Sequence, residues 1–434
     1  MFANEISNCL NLNAKSVSKA IASFCTANKV CIEAILCHYK EKNQPVLIEA
    51  TSNQVNQFGG YTGMKPEDYK KMVYEIADRV GFDKNLIMLG GDHLGPLPWK
   101  SNYESVAMNN AKELVRQFVL AGYEKIHLDT SIKLNGDEGH LTDEVIAKRG
   151  VELYKTAIEA WQENLKKNKT AVKPKFIIGS EVPPAGGSQD GSPVRVTSAD
   201  DLINTIKAYE AAFHEAGIED AFDSIVAVVV QPGVEFGGFT VRQYCREEAR
   251  ELCGVLKKYP HLCFEGHSTD FQWKENLRAM AEDGVKILKV GPAITYAYRE
   301  ALFKLAWFED QIVFDKAKRS NFCETLDEVM CEDPKNWEKY YTGSTQETLM
   351  QRKYSYLDRC RYYLGNEKVK EAIVRLKKNI DYYGLNPGVI HLSFRTQYDR
   401  LYAKGEVCNS ENLIKDYISM QIEDYDFATK EHVI

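Results

Sequence analysis

Short apolar runs alternate with amphipathic helical patterns through the first 305 residues of the chain. Eight of these runs are predicted strands, at residues 22–26, 46–50, 86–89, 125–128, 175–178, 224–230, 262–265 and 286–290. Helical patterns lie between them, for example at 28–42, 105–121 and 200–216. Each run is too continuously apolar for a strand with one face in water, which favours a parallel sheet covered on both faces. Eight alternating units predict an α/β fold, a closed (β/α)8 barrel of the TIM type.

An open, doubly wound sheet is the alternative arrangement of such units. It normally carries a glycine-rich turn after its first strand, and no such turn follows residues 22–26. We therefore expect one barrel over residues 1–305. Beyond about residue 305 the chain is rich in charged and aromatic residues, as at 337–341, and has no strand-like run. We expect residues 306–434 to form a helical region packed on the barrel.

The net charge of −7 over 434 residues, without a long basic block, argues against a nucleic-acid surface. No apolar run reaches the length of about 18–20 residues that spans a bilayer, and no signal-peptide pattern opens the sequence. The eleven cysteines form no CxxC pair, which is typical of reduced thiols in a cytoplasmic protein. An acidic chain can still bind phosphorylated sugars, but only through a local site that escapes its overall field.

Polar residues follow most of the predicted strands. These clusters are at residues 49–54, 90–93, 127–129, 179–181, 231–235, 265–270 and 291–292. In a barrel they would converge on the rim formed by the carboxyl ends of the strands, where barrel enzymes have their active sites. This convergence is the main indication of a functional site.

Histidines and carboxylates dominate these clusters and suit a divalent ion such as Zn, Mn or Ni. Such an ion could polarise a sugar carbonyl and stabilise an enediolate. Taken singly, a histidine at a strand end is more often a hydrogen-bonded packing residue, but the set as a whole favours a site. The expected metal ligands are His93, Glu235 and His267, and the expected catalytic residues are Asp92, Asp129 and Glu181.

Substrate contacts are expected from two regions of the same rim. The turn at 289–293 precedes a helix, and barrels often hold phosphate there on backbone N–H groups. The segment 53–63 is rich in amides, which suit sugar hydroxyls, and in glycines, although an ordinary surface loop explains it nearly as well. The expected substrate-binding residues are Glu49, Asn53, Gln54, Gln231, Ser268, Thr269 and Gly291.

Several longer strings resemble the Z-type subunits of tagatose-bisphosphate aldolase (GatZ/KbaZ). In chain order they are EATSNQV at 49–55, FGGYTG at 58–63, GGDHLGP at 90–96, KIHLD at 125–129, VVQPGVEF at 229–236, HSTD at 267–270 and ILKVGPA at 287–293. The resemblance implies a class II aldolase-like TIM barrel and a role in galactitol, N-acetylgalactosamine or tagatose catabolism. It also implies a non-catalytic subunit that stabilises and activates a Y-type catalytic aldolase.

Class II ketose-bisphosphate aldolases offer a weaker resemblance through Asp92-His93, because those enzymes carry an Asp-His pair in which the aspartate transfers protons and the histidine binds zinc. Where a second zinc histidine would stand, this chain has Glu235, and the third falls at His267, shifted by one position. Other departures from the Z-type subunits lie at 183–195, 237–238 and 364–365.

An altered site of this kind leaves a second function open. Some relatives of the Z-type subunits are described as metal-dependent 4-epimerases of fructose or tagatose, free or 6-phosphorylated. Inverting C4 of a ketose is most simply done by cleaving the C3–C4 bond and re-adding the aldehyde through its other face, which needs an enediolate and an acid/base pair. A sugar kinase is disfavoured because the sequence has no P-loop. The expected partners are a ketohexose or its phosphate, a Y-type subunit and a second copy of the chain.

Overall fold

A computed structural model of the protein describes residues 1–182, 187–188 and 194–434. The centre of the fold is a closed barrel of eight parallel strands. Each strand pairs with the strands that precede and follow it in the chain, and the last strand pairs with the first. The strands are β1 (Ile21–Cys25), β2 (Val46–Thr51), β3 (Ile87–Leu94), β4 (Lys125–Leu128), β5 (Lys175–Ile178), β6 (Ile225–Val230), β7 (Cys263–Gly266) and β8 (Val285–Val290). The predicted (β/α)8 barrel is confirmed.

A first helix, α1 (Phe2–Asn13), precedes the barrel. Each barrel strand is then followed by a helix on the outside of the barrel. The outer helices are α2 (Lys29–Lys42), α3 (Pro66–Val80), α4 (Glu104–Leu120), α5 (Asp143–Lys167), α6 (Ala199–Glu215), α7 (Arg246–Gly254), α8 (Lys274–Glu282) and α9 (Pro292–Ile312). The helical patterns expected at 28–42, 105–121 and 200–216 match α2, α4 and α6 to within a residue at each end.

Strand β3 is longer than the expected run at 86–89. It continues to Leu94, so that Asp92 and His93 lie inside the strand rather than after it. The backbone of His93 has a φ of 47°, an uncommon value for a residue other than glycine. The polar residues of this strand are therefore part of the barrel wall, and the strand is locally distorted where they begin.

Helix α1 closes the amino-terminal end of the barrel. Its buried residues Phe2, Ile6 and Cys9 pack against inward-facing apolar side chains of the strands, such as Leu47 and Met88. Burial of this apolar surface contributes to stability roughly in proportion to its area. The barrel is thus apolar at this end, which leaves its polar residues to the opposite end.

The carboxy-terminal part of the chain is helical, as expected. Its helices are α10 (Phe322–Glu332), α11 (Thr345–Tyr354), α12 (Glu367–Tyr383), α13 (Pro387–Ser393), α14 (Arg395–Lys404) and α15 (Ser410–Thr429). Helix α9 continues past residue 305, where the boundary between the two regions was expected, to Ile312. Helix α15 packs against α2, α8 and α9, so the carboxy-terminal region covers the β8 and β1 side of the barrel.

Two short antiparallel pairs complete the described structure, Val17–Ser18 with His432–Val433 and Glu235–Phe236 with Val241–Arg242. The departure noted at 183–195 lies largely outside the described residues. Among the helices in the described ranges, none combines the length and hydropathy that crossing a membrane requires.

Candidate functional site

A buried lysine stands at the centre of the barrel. The ammonium group of Lys125, on β4, lies 2.8 Å from a carboxylate oxygen of Glu49 and 2.8 Å from one of Glu265. Burial raises the pKa of Glu49 to about 7, although Lys125 opposes this. Burial acts in the same direction on Glu265, but Lys125 and His267 outweigh it and hold its pKa below the usual range. Lys125 and Glu265 therefore form a buried ion pair.

Asp92, on β3, lies closer to the carboxyl ends of the strands than Glu49 does. Its carboxylate forms an ion pair with Lys289 and lies 3.0 Å from Nδ1 of His127. Burial by itself would raise the pKa of Asp92, but the neighbouring His93 and Lys289 outweigh it and hold the pKa well below its usual range. Asp92 is therefore an ionised carboxylate, and its side chain is fully buried.

Three histidine rings surround this carboxylate. The ring centroids of His93, His127 and His267 lie 4.8–5.2 Å apart. Nδ1 of His93 is 2.8 Å from Asp129, and Nε2 of His267 is 2.8 Å from Glu265. Burial, together with the charge of Lys289, lowers the pKa of His267 to about 3. His267 is thus a neutral imidazole, the form that binds metals.

Four of these residues could hold a metal ion. One ligand atom from each of Asp92, His127, Glu265 and His267 lies within 4.8 Å of the others, and all four side chains are buried. Nε2 of His127 and Nδ1 of His267 are buried without a hydrogen-bond partner in the described part of the chain. Neutral imidazoles beside carboxylates suit a divalent transition metal. The donor set therefore fits a metal ion, although Lys289 and Lys125 compete with it for Asp92 and Glu265.

When bound, such an ion would supply Lewis-acid polarisation of a carbonyl oxygen. The chain itself supplies groups for moving a proton nearby. His93 lines the cavity above the centre, and its Nδ1 is held by the ionised Asp129, whose pKa is kept low, against burial, by the hydrogen bond to His93. The other ring nitrogen of His93, Nε2, faces Asp92 and lies 3.4 Å from its carboxylate oxygen Oδ2.

A cavity of about 830 Å³ opens above the centre, on the rim where the strands end. His93, His267 and Lys289 lie at its inner end. Four expected substrate-binding residues also line it, namely Asn53, Gln54, Ser268 and Gly291. The carboxy-terminal region adds Arg361, Tyr362 and Lys370. The cavity is therefore built by the barrel and the helical region together.

Four other residues expected in the site, Thr269, Gln231, Glu235 and Glu181, are not among the described residues that line the cavity. Thr269 is buried and donates a hydrogen bond to the carbonyl oxygen of Lys289 at 2.6 Å. The side chain of Gln231 accepts from the N–H of Gly233 at 2.9 Å. Glu235 is buried in the short hairpin after β6 and accepts from the N–H of Phe236 at 3.0 Å, and Glu181 is exposed. None of these four belongs to the group of four possible ligands.

Five residues of the site had been given no individual role from the sequence: Lys125, His127, Glu265, Lys289 and Arg361. Of these, His127 and Glu265 lie in the polar clusters expected on the rim, and Lys289 lies in the turn expected to hold phosphate. A signal was present for the first four, because each is a charged residue or histidine within an apolar strand. Lys125, His127 and Asp129 alternate along the chain, the spacing that places side chains on one face of a strand. Arg361 gave no such signal, since it lies in a region of many charged and aromatic residues.

Fold and site together define a (β/α)8-barrel protein with a buried histidine and carboxylate centre beneath a cavity at the carboxyl ends of its strands, where barrel enzymes carry their active sites.

Comparisons with known proteins extend this assignment. A profile of the family described as D-tagatose-1,6-bisphosphate aldolase subunit GatZ/KbaZ-like matches residues 6–430. The chain is 40% identical over 410 residues to the D-tagatose-1,6-bisphosphate aldolase subunits GatZ of Salmonella paratyphi B and Klebsiella pneumoniae, covering 94% of this chain and 95% of each relative. It therefore belongs to the GatZ/KbaZ-like family, as its motifs suggested.

A solved structure shares the fold over nearly the whole length. It is described as a probable tagatose 6 phosphate kinase from Sinorhizobium meliloti 1021. The TM-score is 0.85 at 39% sequence identity, and the match covers 95% of this chain and 100% of that one. The carboxy-terminal helical region is thus a shared part of the architecture, not an addition peculiar to this chain.

Proposed function

We propose that the chain is the Z-type subunit of a D-tagatose-1,6-bisphosphate aldolase and raises the activity and stability of a Y-type catalytic subunit in the cytoplasm. The observation that carries this proposal is the match to relatives named as GatZ subunits, which extends over 94% of this chain and 95% of theirs. Because the match includes the carboxy-terminal helices as well as the barrel, it concerns the whole subunit and not the barrel fold alone.

The test is reconstitution with a purified Y-type subunit. We expect the chain to co-purify with that subunit and to raise both its rate of tagatose-1,6-bisphosphate cleavage and its thermal stability. A Y-type subunit whose activity and stability are the same with and without the chain would contradict the proposal.

The polar centre favours a second function, that of a metal-dependent 4-epimerase of ketohexoses or their 6-phosphates. A purely accessory barrel has no need of ionised Asp92, neutral His267 and the ion pair of Lys125 with Glu265 beneath a large cavity. Even paired, buried charges lose hydration, so apolar side chains of similar volume would stabilise the barrel as well or better. Cleavage and re-formation of the C3–C4 bond needs an enediolate stabiliser and a proton carrier. The candidate ligand group would hold Zn, Mn or Ni as the stabiliser, and His93 with Asp129 is suited to carry the proton.

This second function is tested with the chain alone. The purified protein, loaded with Mn, Ni or Zn, is incubated with fructose, tagatose and their 6-phosphates, and C4 epimers are measured by chromatography. Turnover that disappears in Asp92→Asn and in His93→Gln supports the epimerase. No turnover with any metal, together with activation of a Y-type partner, would leave the accessory role as the function.

A further inference from the structure

The charge lining the cavity is opposite in sign to the charge of the chain. The chain carries a net charge of −7. The described residues that line the cavity nevertheless include four cationic side chains and one carboxylate: Lys29, Lys289, Arg361 and Lys370 against Asp270. A cavity with an excess of one sign of charge concentrates ligands of the other sign. The lining of this cavity therefore favours a ligand that carries negative charge.

The most obvious place for an anion is already filled by the protein. The first N–H groups of a helix attract anions, and the helix after the last strand of a barrel often binds phosphate. Here the carboxylate of Asp270 accepts the N–H of Gly291 at 3.0 Å and that of Ala293 at 2.8 Å. Asp270 is buried at this position. A phosphate at the start of α9 would have to displace an internal carboxylate.

The start of α2, which also faces the cavity, is occupied in the same way. The side chain of Asn28 accepts the N–H groups of Val30 at 2.9 Å and Cys31 at 3.2 Å. Both helix ends at the cavity are therefore satisfied from within the chain. Lys289 is also engaged, since its ammonium group pairs with Asp92. An anion in the cavity would therefore be bound by the remaining cationic side chains, Lys29, Arg361 and Lys370.

Arg361 is the best placed of these. Its guanidinium group donates to the carbonyl oxygens of Leu357 at 2.5 Å and Asp358 at 3.0 Å, and to the hydroxyl of Tyr362 at 3.0 Å. Within the described ranges it makes no ion pair with a carboxylate, whereas Lys370 pairs with Glu367. Arg361 is thus held in a fixed orientation with no carboxylate in direct contact, since Asp358 and Asp270 act on it only from a longer distance. An arginine in this condition can form paired hydrogen bonds to a phosphate.

We propose that Arg361, assisted by Lys29 and Lys370, forms a binding site for the phosphate group of a ketohexose phosphate, and that Asp270 keeps this group away from the start of α9. The sugar then extends from the carboxy-terminal region towards His267 and Lys289 at the inner end of the cavity. A dianionic phosphate is favoured over a carboxylate because Arg361, Lys29 and Lys370 line the cavity against one carboxylate, Asp270, although Lys370 also pairs with Glu367. The inference rests on the proposed function, for which it names a ketohexose phosphate as the ligand. It also requires that this chain binds the ligand without a partner subunit.

The test is isothermal titration calorimetry of the full chain, without partner, with fructose 6-phosphate, fructose and inorganic phosphate. We expect fructose 6-phosphate to bind at least tenfold more tightly than fructose. Arg361→Gln lowers its affinity at least tenfold, and Arg375→Gln, which removes an exposed arginine of α12 outside the cavity, leaves it unchanged. Asp270→Asn keeps an acceptor for Gly291 and Ala293 but removes the repulsive charge, so it raises the affinity.

A second measurement does not depend on the folding of any variant. Raising the ionic strength from about 0.05 M to about 0.5 M weakens binding of fructose 6-phosphate but not of fructose, because the salt screens the phosphate. Equal affinities for fructose and its phosphate, no binding of either sugar, or unchanged affinity in a folded Arg361→Gln protein would overturn the inference. Activation of a Y-type partner is measured separately, so the family role can stand where this inference fails.

Discussion

Nε of Arg299, on the helix that follows the last barrel strand, donates a hydrogen bond to the carboxylate of Asp358 at 3.0 Å, and both side chains are buried. Asp358 also accepts from the hydroxyl of Thr295 at 2.7 Å. Its backbone has a φ of 47° and begins the turn that carries Arg361. One carboxylate thus joins the barrel to the helical region and fixes the turn that completes the cavity.

Asp358→Ala is expected to lower the free energy of unfolding by about 3–5 kcal/mol, because it leaves the guanidinium of Arg299 buried without its partner. Urea denaturation followed by circular dichroism measures the change. The control is Glu332→Ala, which breaks the exposed ion pair with Lys368 and should cost no more than about 1 kcal/mol. A similar decrease in the free energy of unfolding in both variants would show that the buried contact stabilises the protein no more than the exposed ion pair does.

Gly90 lies on β3 beside the side chain of Glu49. A Cβ atom at this position would lie 2.5 Å from Oε1 of Glu49, which is buried and cannot move into solvent. We expect Gly90→Ala to destabilise the protein by about 1–3 kcal/mol through overpacking. Thermal denaturation of Gly90→Ala is compared with that of Gly365→Ala, where an added Cβ meets nothing within 4 Å. Equal melting temperatures of the two variants would contradict this account.

Glu235 makes stability depend on pH. Burial raises its pKa to about 7 from an ordinary value of 4.5. Between these two values the folded chain binds more protons at this group than the unfolded chain, so the free energy of unfolding falls as the pH rises through this window. Glu235→Gln removes that contribution. Its stability relative to the wild type should increase by up to about 3 kcal/mol between pH 5 and pH 8.

Urea denaturation at several pH values between 5 and 8 checks this dependence. Glu371→Gln removes the same charge from an exposed position on α12 and controls for the change in net charge. If the stability difference between Glu235→Gln and the wild type does not change with pH, the raised pKa of Glu235 is not responsible.

Metal binding should depend on His127 as well as on His267. Both are members of the candidate ligand group and both carry a buried nitrogen without a partner in the described structure. After incubation with Mn, Ni or Zn and removal of excess metal, we expect elemental analysis to find about one ion per wild-type chain and none in His127→Ala or His267→Ala. His391→Ala, at an exposed position of α13, should keep the ion. A metal content that is unchanged in His127→Ala would place the ion elsewhere.

Lys289→Met tests the same metal site through a variant that should bind the ion more tightly, not less tightly. In the structure the ammonium group of Lys289 neutralises Asp92, so it competes with a metal ion for that carboxylate. Its removal should therefore raise the affinity for the metal. Weaker metal binding in a folded Lys289→Met protein would argue against Asp92 as a ligand.

The sequence predicted the barrel because the burial of its strands on both faces requires continuous apolar runs, and eight such runs can be counted along the chain. For the same reason it placed Asp92, His93, Asp129 and His267 at the ends of strands that meet on one rim, and the structure brings these four close together. Local pattern was sufficient because a parallel barrel aligns the carboxyl ends of all its strands.

Tertiary structure alone decided which partners these residues have. The pairing of Lys125 with Glu49 and Glu265 joins residues 76 and 140 positions apart, and that of Lys289 with Asp92 joins residues 197 apart. Nothing in their immediate neighbours shows these pairs, because burial and opposite charge act through space. Arg361 likewise enters the cavity only because Arg299 and Thr295 hold the Asp358 turn over the rim. The chain's composition made it acidic, and only its folding gathered four cationic side chains around one cavity.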